Sequence, residues 1–82
     1  MDHKRIVLYM VDMFNYDKQD HVLVHSRYDD DIRSYEVTLI HKGRKDVYST
    51  LYNDTFEKAE QNTYKLVLNT LIERAFLNYD RL

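Results

Sequence analysis

The chain holds one glycine and no proline, so nearly all of the residues that punctuate a fold with tight turns are missing. A tight hairpin turn is easily made at one place, Lys42-Gly43-Arg44-Lys45, where the glycine accepts the positive φ such a turn requires. The flanking residues alternate in polarity. In Tyr35-Glu36-Val37-Thr38-Leu39-Ile40-His41, Tyr35, Val37 and Leu39 fall on one side and Glu36 and Thr38 on the other, and alternation resumes from Asp46 to Tyr52. Two antiparallel strands are predicted here. A third strand is predicted over His21 to Tyr28, where β-branched residues recur until Asp29-Asp30-Asp31 ends the run.

Helices are expected on both sides of these strands. Asp2 can cap a first helix that runs to about Asn15, with Ile6, Met10, Met13 and Phe14 near one face and Tyr9 beside them. The segment Ile6-Val7-Leu8-Tyr9 fits the opening of a buried strand equally well, and the polar stretch Asn15 to Asp20 breaks the pattern. Asn53-Asp54-Thr55-Phe56-Glu57 reads as a capping box in which Asp54 accepts first-turn amides and Glu57 reaches back. In the long helix that follows, Tyr64, Val67, Leu68, Leu71, Ile72, Ala75, Phe76 and Tyr79 cover roughly half the circumference, with Leu66 and Leu77 outside that arc. That is more apolar surface than one sheet face usually covers. The expectation is a small α+β domain, α-β-β-β-α, with a three-stranded antiparallel sheet and both helices on one face. It occupies residues 1–82 as a single domain, because 82 residues support one core.

Composition removes several classes of function. Without cysteine there is no disulfide, thiolate zinc site or cysteine nucleophile, which suits a reducing compartment and a cytoplasmic location. A chain this small often needs a staple, and oligomerisation is the one left to consider. The longest apolar run, Ile6 to Val11, is far short of the roughly 20 residues of a membrane span, so no membrane partner is expected. With 12 basic against 14 acidic residues, the net charge of −2 disfavours strong nucleic-acid binding. The eight tyrosines suit either an interaction surface or half-buried strands.

No arrangement of residues points to catalysis, a cofactor or a small-molecule substrate. On a strand, His21 and His25 stand about 13 Å apart, too far to share a metal. Asp29 to Asp31 lack the alternating ligands, central glycine and terminal glutamate of a calcium loop. One glycine excludes a phosphate-binding loop and a Gly-x-Ser-x-Gly elbow, and Ser26, Ser34 and Ser49 have no recognisable catalytic partners. His41-Lys42-Gly43-Arg44-Lys45 is the densest basic patch, suited to contacting phosphate or simply to solubilising a hairpin.

The element order, together with Glu57-Lys58-Ala59-Glu60-Gln61-Asn62-Thr63-Tyr64-Lys65-Leu66-Val67-Leu68-Asn69-Thr70-Leu71, resembles the double-stranded RNA-binding domain family over about residues 4 to 75. The resemblance implies phosphate-gripping lysines at the start of the last helix, where this chain reads Thr55-Phe56-Glu57-Lys58. It also implies a Gly-Pro-x-His loop entering the minor groove, where this chain has Tyr28-Asp29-Asp30-Asp31-Ile32-Arg33-Ser34, and a first-helix acid matched loosely by Asp12. Three aspartates repel a phosphate backbone. Members of that family without RNA contacts serve as protein-interaction or dimerisation modules. The expected function is therefore a non-catalytic protein-interaction module, self-association included, with Leu66, Leu68, Ile72, Phe76 and Tyr79 as partner-binding candidates. Shape-selective duplex RNA binding through Lys4, Arg5, Lys42, Arg44, Lys45 and Lys58 is the alternative. A small viral or phage-type inhibitor presenting acidic loops is another.

Overall fold

A computed structural model describes residues 2–17 and 19–80, with residues 76–80 described by backbone alone. The elements are α1 (His3–Asp17), β1 (Val22–Asp29), β2 (Ser34–His41), β3 (Arg44–Leu51) and α2 (Phe56–Asp80). The strands form one antiparallel sheet in the order β1-β2-β3. This is the α-β-β-β-α architecture that the sequence pattern calls for.

The β2–β3 hairpin closes on the His41–Arg44 pair, leaving Lys42 (φ 53°) and Gly43 (φ 77°) as the turn. Two successive left-handed residues make a type I′ turn, whose twist matches that of the strands it joins. A Cβ at Gly43 would meet nothing within 4 Å, so its cost is conformational only. Gly43→Ala is expected to lower unfolding stability by about 1 kcal/mol in urea titration, with the hairpin retained. The β1–β2 turn uses its aspartates structurally: the Asp29 carboxylate accepts the Asp31 amide at 3.0 Å, and the Arg33 carbonyl (φ 52°) accepts the Tyr52 amide at 2.9 Å.

Along β2, Tyr35, Val37, Leu39 and His41 are buried while the residues between them are partly open, so one face of the sheet carries both helices. Val7, Val11 and Phe14 of α1 and Tyr64, Val67 and Leu71 of α2 complete the core. The buried face of α1 differs from the expected one. Ile6 and Met10 sit at the core margin, whereas Met13 and Tyr9 are exposed. Residues 6 to 11 are apolar around the whole helix, so packing against α2 and β1, rather than periodicity, chose the valine side.

Caps set the helix ends. Asp2 accepts the Arg5 amide at 3.3 Å, as expected. For α2 the cap is Thr55, which accepts the Lys58 amide at 3.2 Å; Asp54 instead pairs with the Lys58 ammonium at 3.2 Å. Phe56 packs into the core as the first helical residue, which moves the cap one position later than the Asp54 pattern suggested. Helix α1 continues to Asp17, and the Asn15 amide clamps both backbone groups of Val22, accepting its N–H at 2.7 Å and donating to its carbonyl at 3.0 Å.

Candidate interaction surfaces

Where the β1–β2 turn meets the start of α2, the Phe56 ring is the hub of an aromatic cluster. It stands edge-on to Tyr35 (5.2 Å), Tyr28 (5.3 Å) and Tyr52 (5.7 Å). The Tyr52 hydroxyl donates to the Asp30 carboxylate at 2.8 Å, with the Asp29 carbonyl at 3.2 Å, and the Arg33 guanidinium lies over the Tyr52 ring at 5.1 Å. Asp29 and Asp30 are thus committed to the fold of the turn, which leaves Asp31 as the exposed acid without such a bond.

Burial pushes the Tyr35 phenol well above its ordinary value, with Tyr64 and the Glu60 carboxylate adding to the effect. Burial also raises Tyr52, reinforced by its bond to Asp30. A phenol whose pKa is raised on folding stabilises the fold fully below the unfolded value of about 10, and that contribution is lost as pH rises through the folded value. Stability is therefore expected to fall above about pH 10, with Tyr35 and Tyr52 ionising after the exposed tyrosines. An ultraviolet phenolate titration checks this: Tyr35→Phe removes one late-ionising group and leaves the early ones.

The basic residues named for RNA do not form one face. Lys42, Arg44 and Lys45 lie at the β2–β3 tip, whereas Lys58 and Lys4 lie near the start of α2. Strand β3 holds these groups about 25 Å apart. Most are neutralised: Lys4 by Glu60 (3.8 Å), Lys42 by Asp20 (3.8 Å), Arg44 by Asp46 (3.2 Å) and Lys58 by Asp54 (3.2 Å). Among the described residues, the Arg5 guanidinium and the Lys45 ammonium have no carboxylate partner. His41 does not belong to the surface patch. It is only 6% exposed, bonded to the Asp20 carboxylate at 3.2 Å and edge-on to Phe14.

Among the described side chains, the partner-binding candidates on α2 do not form one surface either. Leu68 is a core residue at 7% exposure, a correction that follows from the packing of both α1 and the sheet against α2. Leu66 and Ile72 are exposed but lie on opposite flanks of the helix, about 120° apart. The side chains of Phe76 and Tyr79 lie outside the described residues.

Among the described residues, α1 presents an exposed apolar stretch of its own, beside others such as Leu23 and Val47 on the sheet. Tyr16 is 85% and Tyr9 63% exposed, flanked by the exposed Met13 and Leu8. Arg5, Tyr9, Asp12 and Tyr16 follow one another at intervals of four, three and four residues, which sets them in one line along the outside of the helix. Comparison with family models, curated proteins and solved structures finds no match to this chain. Its function must therefore be read from its own surface.

Among the described residues no group of three or more His, Cys, Asp or Glu side chains is placed to hold a metal. His21 precedes β1 and His25 lies on the open face of the sheet, and no described helix is long and apolar enough to cross a membrane. The α1 stripe was legible in principle: Val7, Val11 and Phe14 have helical spacing of their own, and choosing them for the core turns Tyr9 and Tyr16 outward.

Proposed function

We propose that this chain is a non-catalytic, cytoplasmic protein-interaction module that binds its partner through the outer face of α1. The observation that supports this most strongly is the exposure of Tyr9 and Tyr16, with Leu8 and Met13 beside them, on one 15-residue helix. Large aromatic side chains left in water on a small domain are costly to solubility and are typical of the centre of an interface. In this reading the domain is a divergent relative of the double-stranded RNA-binding domain. The aromatic lock around Phe56 and the acid-paired lysines take the place of a phosphate grip.

A photo-crosslinking side chain at Tyr16 is expected to trap a protein, and Tyr9→Asp is expected to abolish trapping while leaving the thermal midpoint nearly unchanged, because both positions are exposed. Trapping unaffected by Tyr9→Asp argues against this surface. Duplex RNA is expected to show no retardation by the chain even at low salt. A retarded complex whose affinity falls steeply with salt would favour RNA binding instead.

A further inference from the structure

The outer line of α1 carries a pattern that matches itself. Read along the helix, it runs Arg5, Tyr9, Asp12, Tyr16, a cation and an acid alternating with two phenols. When two such helices are laid antiparallel so that residue i faces residue 21 − i, Arg5 falls opposite Tyr16 of a second copy and Tyr9 falls opposite Asp12. Each pair occurs twice by symmetry. The first is a guanidinium over an aromatic face, and the second a phenol O–H donating to a carboxylate. The 4-3-4 spacing places these positions in facing layers, as the a and d residues of an antiparallel helix pair are placed.

A second observation points the same way. Helix α1 has no acidic residue in its first turn and no basic residue in its last. Asp17 stands in its last turn, where the macrodipole disfavours an acid, and Lys4 and Arg5 stand in its first turn, offset there by the Asp2 cap. An antiparallel neighbour corrects this arrangement, because it brings the acidic end of one helix to the basic end of the other. The Arg5 guanidinium has no carboxylate partner within the described residues, and Asp12 and Asp17 have no cation partner there.

Resting on the reading of α1 as the binding face, we infer that its occupant is a second copy of this chain. The two α1 helices cross antiparallel about a twofold axis between residues 10 and 11, with Arg5 on Tyr16 and Tyr9 on Asp12 across the interface. The contact offered is one face of a 15-residue helix, whereas a standard stable interface buries about 800 Å² on each partner and a permanent dimer more, so the association is reversible and concentration-dependent.

The absence of cysteine makes the geometry directly testable. In this register two copies of position 5 are about 16 Å apart along the helix axis, as are two copies of position 16. Positions 5 and 16 face each other within the roughly 7 Å that a disulfide spans. Under mild oxidation, a mixture of the Arg5→Cys and Tyr16→Cys proteins is expected to give a cross-linked dimer, while each alone stays monomeric on a non-reducing gel. Sedimentation of the unsubstituted chain is expected to move from 10.0 kDa toward twice that mass with concentration, and Tyr9→Asp to remove the shift. Cross-linking by Arg5→Cys alone would establish a different packing and overturn the register. A chain that stays monomeric at every concentration, with no mixed cross-link, overturns self-association. In that case Tyr16-dependent trapping of another protein leaves the α1 binding face standing, and its absence removes both.

Discussion

Phe56→Ala is expected to lower unfolding stability by about 3 kcal/mol, toward the low end for a buried aromatic because Phe56 is only partly enclosed. The loss combines the removed ring area with three edge-on contacts, to Tyr28, Tyr35 and Tyr52. Those contacts also join the β1–β2 turn to the first turn of α2, so the effect is local as well as global. Hydrogen exchange at Asp31 and at the Tyr52 amide, which bonds the Arg33 carbonyl, is expected to accelerate more than at the centre of β2. Phe56→Leu keeps part of the volume and is expected to cost less than half as much. Urea titration of both variants checks the magnitude. A loss below about 1 kcal/mol for the alanine variant would mean that the ring cluster is peripheral to stability.

Asp46→Ala is expected to cost about 3 kcal/mol, by a different mechanism. Asp46 on β3 pairs with Arg74 of α2, whose side chain is largely buried, and also with the exposed Arg44. The Arg74 Nη1 atom is already buried without a partner, so this guanidinium depends on the one carboxylate for most of its compensation. Removing the acid strands a charge between helix and sheet, whereas removing both groups does not. The double variant Asp46→Ala/Arg74→Met is therefore expected to be more stable than Asp46→Ala alone. If the two losses simply add, the stranded charge is not the cause.

The two variants probe opposite ends of the sheet, and neither contact has a clear sequence signature. Asp46 reads as an ordinary polar residue after a turn, and Arg74 as one solvated position on a long helix. Their meeting across 28 residues is a product of the register of β3 and the path of α2. The same holds for Asn15 and Val22, and for Asp20 and His41. In each case a polar side chain that looks like surface is fixed by one backbone or ring partner that only the folded chain supplies. The capping residue of α2 moved by one for a similar reason, because the packing of Phe56 decided where the helix starts.

Local chemistry, by contrast, was decisive wherever one residue has one good option. The single glycine placed the hairpin, period-two alternation placed Tyr35, Val37 and Leu39 inside, and the acid at position 2 capped the first helix. Those three signals, with the apolar run of α2, determined the order and type of the elements and one face of the sheet. Which side of α1 is buried was left to the tertiary structure, since residues 6–11 are apolar around the helix and offer more than one face until a neighbour supplies the contact. That choice buried Val7 and Val11 and left Tyr9 and Tyr16 in water.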